Sequence, residues 1–276
     1  MTLPAHSARS RFADVVQKPE PEIDLACAAL LIAAEEYPQV TPEPYLRRLD
    51  ELAERARDRL WDATAPIMML QEVNRVMFEE EAFQGNRTEY YDPRNSFLND
   101  VIDRRRGIPI TLSIVYLELG WRLDLPLHGV NFPGHFLVRY AGEAVQLLVD
   151  PFQNGMIRFE DEAQALLDHV YGGSVRMQPE FLRIADRRDI LIRLLTNLKG
   201  NYLNRRDDRR ALSAIERILV VRPDSADDER DRGIVLTRLG RDRDAADALN
   251  RYLELVPDAP DSARVRLLLD QLGTDS

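Results

Sequence analysis

The run Ile218-Leu219-Val220-Val221-Arg222-Pro223-Asp224 returns 34 residues later as Tyr252-Leu253-Glu254-Leu255-Val256-Pro257-Asp258. At the same offset Ala211 matches Ala245, Ile215 matches Leu249 and Leu219 matches Leu253. A repeat of this length holds one pair of helices. Small residues at the first position let the two approach, and the larger ones fill the contact between them. The last third of the chain is therefore restricted to stacked helical hairpins, with a capping helix expected over Asp261 to Leu272.

The period resembles that of the tetratricopeptide repeat (TPR). Tyr202 and Gly233 fall where that pattern favours an aromatic and a glycine, whereas Glu229 and Arg232 take positions that are usually apolar. Two units are fewer than the roughly three that an independent solenoid needs. The segment is expected to act either as a helical buttress for what precedes it or as a peptide-binding groove.

Upstream, the first twenty residues mix charge with Pro4 and Pro19 and read as a poorly ordered lead-in. Helical spacing of apolar residues then predicts helices over Glu22 to Tyr37, Pro44 to Asp62 and Pro66 to Glu80. Gly85 to Pro93 reads as a loop, and Asn95 or Ser96 is expected to cap a helix over Phe97 to Arg106. Pro109 suits the first turn of a further helix, Ile110 to Leu123, apolar around much of its circumference and so expected to be central.

After Asp124-Leu125-Pro126 the period becomes strand-like over Leu127 to Phe132, Phe136 to Tyr140 and Ala144 to Val149. Ala141-Gly142-Glu143 turns the last two into an antiparallel hairpin. No strand is expected from Gln178 onward. The chain is thus read as an α+β core with a helical N-terminal part and an antiparallel sheet, followed by an all-α segment. The divisions fall at 1–20, 21–177 and 178–276.

The chemistry gathers between Gly107 and Phe152. With a turn centred between Gly142 and Glu143, His135 and Asp150 face each other across the hairpin. A carboxylate there fixes the imidazole tautomer and stabilises its charged form, as in nucleophile–base–orienter triads. Such a pair calls for a nucleophile, and a helix N-terminus beneath the strands is a good seat for a thiolate. That order, a cysteine at a helix start followed by a histidine and an aspartate on strands, resembles the transglutaminase and papain-like superfamily. Counted along the helix, the superfamily's cysteine position falls on Pro109, which has no nucleophile.

In this form the chain resembles the bacterial SirB-type family, a transglutaminase-like core followed by TPR units, the core being shared with an animal F-box protein. The resemblance runs from about Ile23 to Leu272. It rests on Asn95-Ser96, Arg105-Arg106-Gly107-Ile108-Pro109-Ile110-Thr111-Leu112, Asn131-Phe132-Pro133-Gly134-His135-Phe136 and Val149-Asp150-Pro151-Phe152. It implies the fold, His135 as the base and Asp150 as its orienter, and it stops at Pro109.

Several alternatives stand beside that reading. The dyad is either a structural pair retained from an enzyme ancestor or an active one served by a hydroxyl, with Thr111 and Ser113 nearest in sequence. Cys27 sits in an apolar helix, either as a core residue or as a distant third member of the triad. Arg104 to Arg106 are either a solvated helix end or an anion site.

A net charge of −10 disfavours nucleic acid as the main partner. No apolar run approaches the roughly 20 residues of a membrane span, and the start shows no signal-peptide core. The single cysteine excludes an internal disulfide and a Cys-cluster metal site, and His128 and His169 have no ligand-spaced companions. No metal or cofactor is expected, and the expected compartment is the cytoplasm.

The leading expectation is a pseudoenzyme that binds a protein or peptide. The alternative is a hydrolase or acyltransferase using His135 and Asp150 with a hydroxyl or a water, and a third reading is a purely structural subunit. The oligomeric state is left open.

Overall fold

Ala8, Phe12 and Val16 recur four residues apart and all are buried, so the chain opens with an amphipathic helix, α1 (Ala5–Val16). This corrects the expectation of a poorly ordered lead-in: Pro4 precedes the helix and Pro19 follows it, leaving the apolar stripe unbroken. The structure, a computed structural model, describes residues 5–60, 65–142 and 145–274. Parts of the expectations above that fall on other residues, including Glu143 of the hairpin turn and Ala144 at the start of the strand expected after it, lie outside the described residues.

The chain forms two compact units, Met1–Leu194 and Leu195–Ser276. In the first, α1 is followed by α2 (Leu25–Glu36), α3 (Pro42–Leu60) and α4 (Pro66–Asn74). A π-helical turn over Arg75–Glu80 extends α4, the Glu81 N–H donating to Val76 O. A two-residue strand β1 (Gln84–Gly85) pairs in parallel with β2 (Arg106–Gly107), and α5 (Leu98–Arg104) lies between them in sequence.

The expected caps Asn95 and Ser96 are not caps. Phe97 holds that position without a side-chain bond, and both polar residues point into the protein. At the other end of α5, Arg105 takes a left-handed conformation and donates to the carbonyls of Ile102 and Asp103.

The central helix α6 (Pro109–Arg122) is buried continuously from Pro109 to Gly120, as its apolar circumference requires. Pro109 stands at its first position, and the Thr111 hydroxyl accepts the Ile108 N–H at 3.1 Å. The sheet that follows contains β3 (Leu127–Val130), β4 (Leu137–Ala141), β5 (Gln146–Asp150), β6 (Met156–Phe159) and, later, β7 (Ile184–Ala185). Its order is β6-β5-β4-β3-β7, antiparallel throughout. Helix α7 (Ala163–Tyr171) packs Ala163, Leu166 and Leu167 against Val130, Leu137 and Leu148 of the sheet.

Two expectations change here. The β4–β5 ladder pairs Val138 with Val149 and Ala141 with Gln146, two residues away from the expected register. A strand also returns after Gln178: β7 pairs with β3, so the first unit runs to Leu194, past the division expected at 177.

The boundary between the units falls inside α8 (Arg187–Asn204). The second unit continues with α9 (Asp208–Val221), α10 (Ala226–Arg238), α11 (Asp242–Leu255) and α12 (Ser262–Thr274). Tyr202, Ala211, Ile215, Ala245 and Leu249 are all buried there, on the inner faces their spacing implies. A Cβ added at Gly233 would stand 2.5 Å from Leu249, so glycine is what lets α10 and α11 approach. Pro223 and Pro257 follow α9 and α11 and help to end them. The two residues that break the apolar pattern, Glu229 and Arg232, pair with each other at 3.4 Å.

Candidate functional site

Pro133 and Gly134 form a tight turn closed by the His135 N–H donating to Phe132 O at 3.0 Å, with Gly134 at φ 68°. This is the arrangement of a proline at the second and a glycine at the third place of a type II turn. The turn aims His135 at the end of β5, although His135 lies outside β4.

Asp150, 1% exposed, ends β5 and caps a short 3-10 turn over Pro151–Gln153. Its Oδ1 accepts the N–H groups of Phe152 and Gln153 at 3.0 and 3.2 Å. Its Oδ2 lies 2.9 Å from His135 Nε2. The dyad is formed, then, by a turn and a cap rather than by a ladder pair.

Among the described residues no hydroxyl is hydrogen-bonded to the dyad. Thr111 Oγ1 donates to Asn95 O at 2.7 Å and accepts from Ile108 N, and Ser113 Oγ is buried without a partner. Among the described residues neither hydroxyl bonds to His135. Cys27 lies elsewhere, three residues into the cap of α2 with its N–H on Asp24 Oδ1, and burial followed by the nearby Asp24 charge pushes its thiol up to about 11. That is the opposite of an activated nucleophile.

Asn95 organises the loop over the site. Fully buried, it accepts from Asn86 Nδ2 at 3.0 Å and donates to the carbonyls of Glu89 and Tyr90 at 2.7 and 3.2 Å. The loop so held places Tyr90 edge-on to Phe152, with ring centres 6.0 Å apart, and Arg87 over the Phe152 ring at 5.4 Å. Phe152 also meets the His135 ring edge-on at 6.1 Å. Gly85 is required beneath it, since a Cβ there would stand 2.6 Å from the Phe152 ring.

Of the other motif residues, Gly107 packs against Thr111, Pro151 is buried, and Arg106 is exposed opposite Gln84. Asn131 accepts from Arg193 at 2.7 Å, which brings in a residue the sequence reading had not singled out. Arg104 to Arg106 do not act together: Arg105 pairs with Glu81 at 2.8 Å and Arg104 with Asp92 at 3.7 Å. Burial, then the nearby Arg139, lowers the His128 pKa. Among the described residues no group of three or more His, Cys, Asp or Glu is placed to hold a metal, and no helix is long and apolar enough to cross a membrane.

A parallel-paired β1–β2 clip, a buried central helix, an antiparallel sheet carrying His and Asp, and a helical-repeat unit together define a transglutaminase-like protein with a tetratricopeptide segment. The transglutaminase-like superfamily matches residues 43–196, and the tetratricopeptide repeat matches residues 198–270. The chain belongs to the bacterial UPF0162 family within that superfamily. It is 38% identical over 221 residues to a UPF0162 protein of Xylella fastidiosa, covering 79% of each chain. It is 34% identical over 212 residues to one of Pseudomonas aeruginosa, covering 77% of each.

A shorter match, 42% over 84 residues, is to F-box only protein 21 of Pongo abelii, covering 30% of this chain and 14% of that protein. Among solved structures, that of menin is similar at a TM-score of 0.45 and 11% identity, over 98% of this chain and 70% of that one.

Proposed function

We propose that the chain is a protein- or peptide-binding module of the cytoplasm, built on a transglutaminase-like unit that has given up catalysis. The observation that carries this reading is Pro109, buried at the first position of α6, where the superfamily resemblance places the nucleophilic cysteine. The hydroxyls closest to it in sequence are occupied or sealed, Thr111 by Asn95 O and Ser113 by its burial. The tetratricopeptide unit adds a cavity of about 550 Å³ between α10 and α12, lined in part by Ile234, Val265, Leu268 and Arg264. Native purification of the full chain, with quantification of co-purifying proteins, tests the reading. A stoichiometric partner is expected, and recovery of none counts against it.

The intact contact at 2.9 Å between His135 and Asp150 favours a second reading, a hydrolase in which the imidazole activates water. It requires turnover of an acyl substrate that His135→Gln abolishes. Turnover by the full chain that survives this substitution would remove the dyad from any such chemistry.

A further inference from the structure

Arginines in the first unit mostly find carboxylates: Arg55 meets Glu80 and Glu81, Arg105 meets Glu81, and Arg122 meets Glu118 and Asp50. In a chain of net charge −10 that is the ordinary outcome. Two arginines beside the His135–Asp150 dyad depart from it. Arg87 is exposed and lies over the face of Phe152, with no carboxylate partner among the described residues. Arg193 is half-buried and, among the described residues, donates to the neutral amide of Asn131 alone. Burial lowers the Arg193 pKa from the ordinary arginine value, and the titratable groups near it are the phenols of Tyr90 and Tyr171, which are neutral at neutral pH. A guanidinium keeps its charge throughout the neutral range.

These two cations belong to one face. Arg87 lies over Phe152, Phe152 meets Tyr90 and His135, and Arg193 is held by Asn131, which leads directly into the turn that carries His135. Tyr171 is brought to the same place by Gly134, at which an added Cβ would stand 3.2 Å from the Tyr171 hydroxyl. Exposed apolar side chains stand at the rim, Tyr91 at 68% and Val170 at 45% exposure. The two guanidiniums are linked through rings and not through a shared acid, so the face presents separate anion sites with apolar contact between them. That pattern suits a chain bearing spaced carboxylates and apolar side chains better than a single small anion.

We propose that Arg87, Tyr90, Phe152, His135, Tyr171 and Arg193 form the docking face for an acidic segment of a partner protein, its carboxylates taken by the two unpaired guanidiniums and its apolar side chains by the rings. The inference rests on the binding-module reading and names the chemistry of the partner. Asn95 and Asn131 are positioning residues in it, the first by holding the loop that carries Arg87 and Tyr90, the second by holding Arg193.

The test is a titration of the ¹⁵N-labelled full chain with a short synthetic peptide in which Glu alternates with Leu. Saturable shifts are expected at residues 86–91, at 131–135 and in the His135 ring, with a Kd of about 1 mM or tighter. Arg87→Ala and Arg193→Gln should each weaken binding about tenfold. Arg87 is exposed, so its substitution leaves the fold intact. The Gln amide can still donate to Asn131.

Four results would overturn the proposal: no shifts at this face, an affinity unchanged in both variants, equal shifts from a Lys–Leu peptide, or equal shifts from sodium acetate or inorganic phosphate at matched anion concentration. Shifts confined to residues 195–276 would sink this inference and leave the binding-module reading standing. A full chain that retains no native partner would fail the latter on its own evidence.

Discussion

His135 Nε2 stands 2.9 Å from Asp150 Oδ2 although no strand ladder pairs the two residues. The register that would have set them opposite each other is displaced by two. The contact survives because Pro133-Gly134 turns His135 inward and Asp150 is at once the end of β5 and the cap of the following turn. One carboxylate thus serves backbone and side chain together.

That double use separates two substitutions. Asp150→Ala removes the cap from the Phe152 and Gln153 N–H groups and the acceptor from His135 inside a buried site, and should cost about 2–4 kcal/mol. Asp150→Asn can keep the cap through its amide oxygen and should cost about 1 kcal/mol. Urea unfolding at neutral pH checks both. Because a carboxylate can only accept, ¹⁵N spectra of the parent should find the proton on Nε2 of His135. Equal destabilisation by the two variants would mean that the cap contributes nothing.

Ser113 and Thr111 give opposite expectations. Ser113→Ala removes a buried hydroxyl that has no partner and should be neutral or stabilising by up to about 1 kcal/mol. Thr111→Val leaves the Ile108 N–H and the Asn95 carbonyl without their shared partner, and should cost about 1–3 kcal/mol. Thermal unfolding of both variants decides this. A strongly destabilised Ser113→Ala would show that its hydroxyl has a partner after all.

What was legible in the sequence is what periodicity controls. The switch to a period of two at Leu127, the buried circumference of α6 and the 34-residue repeat each depend on neighbours along the chain. Register was not legible, since a shift of two keeps every side chain on the same face and leaves the alternation unchanged. Neither was β7, too short at two residues to show a pattern, whereas α7, with Ala163, Leu166 and Leu167 at helical spacing, was legible and went unread. The dyad was found from residue types and order, and the positions it needs were supplied by a different geometry. Arg193 went unnoticed because it follows Asn131 by 62 residues and looks like any of the chain's many arginines. Its distinction is a place beside the dyad with the neutral amide of Asn131 as its partner, which only the fold displays.

Cys27 should be a slow thiol. With its pKa raised to about 11, chiefly by burial, about one molecule in a thousand carries a thiolate at pH 8. An unfolded cysteine near pKa 8.5 would be about one-quarter ionised. Alkylation of the native chain by iodoacetamide should therefore run about 250-fold slower than in denaturant, and rise about tenfold per pH unit up to pH 10. The folded pKa lies above the unfolded value, so this group's stabilising contribution is complete below about pH 8.5 and is lost as pH rises toward 11. Native and denatured rates that coincide at pH 8 would show the thiol to be open and unperturbed.

Gly233 tests how tightly the repeat is packed. Alanine is the better helix former by about 1 kcal/mol, so at an exposed site Gly233→Ala would stabilise α10. Here the new methyl would lie 2.5 Å from Leu249 and 3.3 Å from the Ala245 carbonyl, and the backbone contact cannot yield as a side chain can. Overpacking should win, with a net loss of about 1–2 kcal/mol in the unit 195–276. Leu249→Val alone removes a buried methylene and should also cost about 1 kcal/mol. Combined with Gly233→Ala it makes room for the added methyl, so the double variant should be less destabilised than the two losses taken together. Urea unfolding of the full chain, followed by hydrogen exchange of amides in α10 and α11, reads the coupling. Strict additivity would show that α10 can shift away from α11 without loss, and that the glycine is not what sets their approach.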